Sequence, residues 1–394
     1  MMKDLWQPPG LRVGKSSEEE RHATWLELFY DLIFVVAIAQ LAQKLYEDIS
    51  LFSFFSFVVL FLPFWLSWLA ATFYATRFDT DDLGHRLLTA VQMVAIAAMA
   101  VNIHHGLGET SAGFALWYAI ARIALITEYL RAQKYIVSTR SLTTRFIVGF
   151  GITAAIWLVS SFVPSPLRFV LWFFGLVIDF ATPLSAGRLD GEFAPHASHL
   201  PERFGLFTLI LLGESISAVI HGITKQQWTT SSGIAAVLGI SIAFSLWWIY
   251  FDNLGSSGIR AIHKSFCIKC YRIWFYAHLP LAIGIAATGA GVMHLVSCHP
   301  SLSLSSPTRW LVCCGTALSI ISLGIINLMT ISPRARKHCQ TVRTASCIGS
   351  AVVILIIGVF GKELSPVWLI GLVATVCAFQ ITFDLNSQVV SKQM

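Results

Sequence analysis

Glu27 and Asp31 stand four residues apart in Arg21-His22-Ala23-Thr24-Trp25-Leu26-Glu27-Leu28-Phe29-Tyr30-Asp31-Leu32, at the head of a long apolar run. On a helix both carboxylates lie on one face, one turn apart. Further on, Arg122, Glu128, Asp179, Glu214 and His278 also fall inside apolar runs, and His199, Glu202 and Arg203 open another. An acid held in a low-dielectric interior can keep a proton, and beside an arginine it can trade that proton for a substrate. Structural explanations compete with this one. Glu27 suits a helix first turn, where the dipole favours an acid, and Arg122 could form a static pair with Asp179 or Glu214 that only fixes helix packing.

The elements that position these residues are legible in the composition. The chain has 394 residues, 56% of them hydrophobic and only 12% charged, with a mean hydropathy of +0.70. Soluble domains carry roughly twice that charged fraction, about 25%. The apolar residues fall into twelve runs, at 24–43, 51–76, 85–104, 113–133, 144–163, 167–187, 202–223, 231–252, 271–296, 309–330, 343–361 and 366–386. A helix needs about 20 residues to cross about 30 Å of hydrocarbon. The expected fold is an all-α polytopic integral membrane protein.

The net charge of +6 is not a nucleic-acid signal, because the basic residues sit in short loops. With the N-terminus inside, 21 lysines and arginines fall in inner segments and 5 in outer loops, with Arg122 alone inside a span. That asymmetry predicts cytoplasmic N- and C-termini and an even number of spans. No cleavable leader is expected ahead of the acidic Glu18-Glu19-Glu20.

The two halves of the chain echo each other. Ser165-Pro166 precedes span six and Ser365-Pro366 precedes span twelve; Arg145 opens span five as Arg343 opens span eleven. Two parallel six-helix repeats are therefore expected, related by an axis along the membrane normal. The predicted layout is a cytoplasmic tail at 1–20, a first half at 21–187, an inter-half loop at 188–201, a second half at 202–386 and a tail at 387–394.

At 1.5 Å of rise per residue, the polar residues sort into two depths. A middle layer holds Arg122, Asp179 and Glu214, the last on a stripe with Ser217 and His221. An inner layer holds Glu27, Asp31, Glu128 and His278, with Arg21, His199, Glu202 and Arg203 at its mouth. Five acids then face a single intramembrane arginine, so some are expected to be protonated or to face water. Cys267 and Cys270 form one CxxC with no second pair, so no metal site is expected. No phosphate-binding glycine loop, HExxH or GxSxG motif is present, and neither a cofactor nor an enzymatic activity is expected.

The run from Arg21 to Leu32, together with His199-Leu200-Pro201-Glu202-Arg203-Phe204-Gly205-Leu206-Phe207 and the following Leu212-Gly213-Glu214-Ser215, resembles the signatures of the bacterial low temperature requirement A family. The resemblance runs from about residue 18 to the last span. It implies a multi-pass protein of the bacterial cytoplasmic membrane, and it carries no substrate or catalytic residue with it. From the residues, the leading expectation is a secondary transporter of a small solute coupled to protons or another cation. The alternatives are a non-transporting membrane sensor or scaffold and, behind it, an intramembrane lipid-acting enzyme built on Glu27, Asp31, His199 and Glu202. The expected partners are the lipid bilayer, the solute and its coupling ion, with no nucleic acid; oligomeric state is not readable.

Overall fold

The computed structural model describes residues 6–11, 23–187, 189, 193, 199–224, 229–254, 268–297, 304–330 and 337–393. Among them, twelve helices are long and apolar enough to cross a membrane. They are α1 (Trp25–Glu47), α2 (Leu51–Arg77), α3 (Leu83–Val101), α4 (Ser111–Tyr135), α5 (Arg140–Phe162), α6 (Leu167–Ser185), α7 (His199–Thr224), α8 (Thr230–Leu254), α9 (Ile268–Ser297), α10 (Ser306–Met329), α11 (Lys337–Phe360) and α12 (Pro366–Gln393). Each corresponds to one of the twelve apolar runs. A two-residue antiparallel ribbon, β1 (Gly10–Leu11) with β2 (Phe78–Asp79), ties the N-terminal segment to the end of α2.

Local chemistry sets the helix starts. Thr24 and Glu27 form a reciprocal capping box at α1: the Thr24 amide donates to Glu27 Oε2 at 2.7 Å, and the Glu27 amide to Thr24 Oγ1 at 3.2 Å. Asp82 caps α3 by accepting from the His85 amide at 3.0 Å. The Asp82 carboxyl lies outside the spans. Burial pushes it up, but the His85 amide and the Arg131 guanidinium outweigh this and hold it below its ordinary value. Ser305 caps α10, with Pro307 in the first turn, where a missing N–H costs nothing.

The chain forms two compact units, Met1–Leu41 with Val58–Arg203, and Ala42–Phe57 with Phe204–Met394. The divisions fall within α1, α2 and α7. In the first unit α3, α4, α5 and α6 pack consecutively. Tyr74, Phe78, Tyr129, Phe146 and Phe150 form an aromatic core there, against which Leu11 of the ribbon packs. Outward faces are apolar: Leu87, Val91 and Val94 form an exposed stripe on α3, as suits contact with lipid.

In the second unit α9, α10, α11 and α12 pack consecutively, and α8 packs on α12 and α9. The α9–α10 contact is built on small residues. A Cβ on Gly284 would lie 2.7 Å from the Gly315 carbonyl oxygen, so the two backbones touch. Thr288 and Ser319, each four residues on from one of these glycines, bond their own i−4 carbonyls at 2.8 and 3.0 Å. Small residues at this spacing let helices approach closely where no hydrophobic force drives them together.

Candidate functional site

The first unit contains a polar network at the ends of its helices. Asp31, in the second turn of α1, accepts from Arg203 Nη2 at 2.7 Å and from Trp68 Nε1 on α2 at 2.9 Å, both on Oδ1. Glu27, one turn earlier, lies 3.5 Å from Arg203 Nη1 and 3.2 Å from His199 Nε2. Arg203 is 1% exposed and His199 fully buried. Neither turns out to water from the start of α7. Both fold inward onto α1, which corrects the expectation of a lone intramembrane arginine. Counting rise along the helix places Arg203 at a helix end, but its long side chain reaches back to acids that need a partner. Glu202, in the same first turn, is half-buried, and Arg21 lies outside the described residues.

Glu128 of α4 pairs with His85 Nδ1 of α3 at 2.8 Å, and both are largely buried. Beside them Arg131 bonds the Asp82 carboxylate at 2.7 Å, with its guanidinium over the Trp6 ring at 5.0 Å. A cavity of about 30 Å³ separates the His85–Glu128 pair from Glu27 and Arg203, and Tyr30, Tyr74, Thr89 and Gln92 complete its polar lining. A water needs about 10–15 Å³ on this measure, so the chamber has room for one or two. Tyr30 donates weakly to Gln92 Oε1 at 3.4 Å across its edge.

Deeper in the unit, Arg122 of α4 donates to Asp179 of α6 at 2.7 Å and to the Tyr118 hydroxyl at 2.6 Å; that hydroxyl also bonds Asp179. Arg122 packs over the Tyr118 and Phe150 rings at 4.9 and 5.0 Å. All of this is closed to solvent. Oδ2 of Asp31 and Oδ1 of Asp179 remain buried without a hydrogen-bond partner.

Of the residues singled out from the sequence, Glu27, Asp31, His199 and Arg203 come together, and Arg122 meets Asp179. Glu128 joins instead a residue not singled out, His85. The signal was available, because His85, Thr89 and Gln92 recur at i, i+4 and i+7, a polar stripe on a helix that is apolar elsewhere apart from the exposed Arg86. Trp68 and Tyr118 were also missed, since an aromatic in a span reads as packing until its polar tip finds a partner.

Glu214 and His278 belong to the second unit. Glu214 is half-buried and makes no hydrogen bond or ion pair among the described residues, while Ser217 and His221 on its stripe are exposed. His278 is 3% exposed. Its Nδ1 donates to the Trp274 carbonyl at 2.8 Å, so Nε2 is left to accept from the Tyr250 hydroxyl at 3.1 Å. Those bonds fix a neutral tautomer among the Phe204, Trp274 and Tyr250 rings. The unit has a second polar network that was not foreseen. Arg343 of α11 donates to Asp384 of α12 at 3.1 Å, and Gln380 bridges Asp384 to Ser346 and Ser350. Among the described residues no group of three or more His, Cys, Asp or Glu is placed to hold a metal ion; Cys267 of the CxxC lies outside them.

Twelve apolar helices around buried, paired charges define a multi-pass membrane protein. The chain matches the family described as bacterial low temperature requirement A protein (LtrA) over residues 22–384, and it belongs to that family. It is 28% identical over 300 residues to the "Uncharacterized protein RA0937" of Rhizobium meliloti (strain 1021), covering 71% of each chain. No solved structure matches it.

Proposed function

We propose that the protein is a secondary transporter of a small solute in the bacterial cytoplasmic membrane, coupled to protons or another cation. The observation that carries this reading is the cavity in the first unit, where Glu27, His85, Glu128 and Arg203 converge on a water-sized space within the span-forming helices. Ionisable groups at such a place mark ion pathways more often than simple packing. Glu27, Asp31 and Glu128 form the inner part of the pathway and Arg122–Asp179 its deeper part, with Glu214 a candidate in the second unit.

The proposal includes two parallel six-helix repeats with both termini cytoplasmic, the halves being 21–187 and 202–386 joined by 188–201. The consecutive packing of α3 to α6 and of α9 to α12 supports it. So does a shared contact: Arg145 of α5 bonds Ser185 of α6, 40 residues on, and Arg343 of α11 bonds Asp384 of α12, 41 residues on.

The test is uptake and counterflow into proteoliposomes under an imposed pH gradient, read with an internal pH dye against a panel of small solutes. Coupled flux that falls in Asp31→Asn and Glu214→Gln is expected. Flux unchanged in both variants would overturn the site assignment, and no protein-dependent flux for any solute would overturn transport. One observation favours a second reading, a non-transporting sensor or scaffold. Asp31, Glu27, Glu128 and Asp179 each have a basic partner, as in a purely structural network. On that reading the same variants lose stability and no flux exists to change.

A further inference from the structure

Residues 6–11 lie as a short strap against the end of α2, the start of α3 and the last turns of α4. The strap has two holds. At one end β1 pairs with β2, Gly10 opposite Asp79 and Leu11 opposite Phe78, and Leu11 packs on the aromatic core. At the other the Trp6 ring covers the Arg131 guanidinium at 5.0 Å, and both rest on Gly84. A Cβ on Gly84 would lie 3.0 Å from Arg131 Nη1 and 3.1 Å from Trp6 Cζ3, so the seat is shaped by the missing side chain. Pro8 and the buried Pro9 join the two holds, and their fixed φ angles make that link extended and stiff.

Beneath Trp6 the contacts lead to the cavity. Arg131 bonds Asp82 at 2.7 Å, and His85 bonds Glu128 at 2.8 Å. Asp82 stands three residues before His85 on α3, and Arg131 three after Glu128 on α4, spacings that keep each pair on one helix face. Both steps run toward the helix ends, about 5 Å outward at 1.5 Å per residue. Two ion pairs therefore bridge α3 to α4 one turn apart. His85–Glu128 lines the cavity, and Arg131–Asp82 stands between it and the strap.

We infer that residues 6–11 form a latch that closes the first unit's cavity at this helix end, with Trp6 the part that lifts and Arg131 the group it covers. The inference rests on the transporter reading for its purpose, while access to the cavity is measured without transport. The hold is shallow. The ribbon is two residues long, and Trp6 stays 60% exposed even when seated. A two-stranded ribbon that short is not stable by itself. The seated state also leaves Arg131 short of partners: its Nε and Nη1 are buried without a hydrogen bond among the described residues. Donors held dry and unpaired are costly. Lifting Trp6 lets water reach both, which offsets the lost ring contact, while the bond to Asp82 can persist. A purely structural staple would gain from burying the indole and pairing those donors; a seat that does neither is suited to opening.

Thiol accessibility in the full-length protein, held in lipid nanodiscs that leave both bilayer faces open to reagent, tests the latch directly. Thr89→Cys puts a thiol on the cavity wall, and Asp81→Cys puts one at a side chain 70% exposed as the fast reference. Modification by 2-aminoethyl methanethiosulfonate is followed peptide by peptide in a mass spectrometer, so the eight native cysteines do not interfere. The thiol at position 89 is expected to react far more slowly than the one at position 81. Adding Trp6→Ala, or Gly84→Val to fill the seat, should raise the rate at position 89 by about tenfold or more, because that rate follows the population of the lifted state. Trp6→Phe keeps a ring over Arg131 and should keep the slow rate. A parent that already reacts as fast as the reference overturns the latch. So does a position-89 rate left unchanged by both Trp6→Ala and Gly84→Val, whether or not the variants lose thermal stability; a loss of stability alone would mark a staple. Faster modification in the variants of a protein that gives no flux for any solute would uphold the latch and count against transport alone.

Discussion

Arg203 is the residue on which the polar network of the first unit most depends. Arg203→Met keeps most of the side chain's length and apolar stem and removes only the charge. Among the described residues, Asp31 then keeps the Trp68 hydrogen bond at 2.9 Å, and Glu27 keeps His199 and the Thr24 cap. Both carboxylates are buried, at 2% and 6% exposure, and the small cavity beside Glu27 offers room for one or two waters at most. Stranding one member of a buried pair costs about 3–5 kcal/mol, and two acids share this arginine, so the upper part of that range is expected. Asp31→Asn in the same chain removes the stranded charge while its amide oxygen still accepts from Trp68. The double variant is therefore expected to recover at least ~2 kcal/mol, within the usual range for residues in contact. Equilibrium unfolding in mixed micelles, followed by tryptophan fluorescence, measures both. A cost below about 1 kcal/mol for Arg203→Met would place the pair with exposed salt bridges and refute its burial. A double variant no more stable than the single one would refute the Arg203–Asp31 coupling.

Three further outcomes are expected. Asp179→Asn strands Arg122 and should cost about 3 kcal/mol, whereas Arg122→Leu with Asp179→Leu should come closer to the wild type, because an apolar pair carries no desolvation penalty; the same unfolding assay decides. Asp82→Ala removes the α3 cap and the Arg131 partner, for about 1–2 kcal/mol. The Asp82 carboxyl is held below its ordinary 3.8, so its stabilisation is complete above that value and is lost as pH falls through the lower folded value. The gap between wild type and Asp82→Ala, taken from unfolding curves over an acid series, should narrow toward low pH and not toward high. Gly284→Val drives a branched side chain into the Gly315 carbonyl, which cannot rotate away, and should cost about 1–3 kcal/mol in thermal unfolding of the detergent-solubilised protein.

The span count was legible because hydrocarbon thickness imposes one length on every helix, and apolar runs of that length leave few ways to divide the chain. Counting rise also put Arg122 and Asp179 at one level, and these two meet at 2.7 Å, while Glu214, counted at the same level, belongs to the other unit. Counting rise gives height along a helix and nothing about which neighbour stands beside it. Asp31 and Arg203 are 172 residues apart, and only the packing of the first unit turns the start of α7 toward α1. The same blindness hid His85. One imidazole in the first turn of an amphipathic span has an adequate explanation as an interfacial residue, and it becomes a partner only when Glu128 arrives from α4. Glu27 shows the two kinds of information in a single side chain. Its capping bond to Thr24 follows from the T-x-x-E spacing alone, while its contacts with Arg203 and His199 do not. A first-turn acid that caps its own helix costs the fold little to keep there. That is why the capping account and the functional account of Glu27 are not rivals: the cap holds the carboxylate in the orientation in which the cavity and His199 meet it.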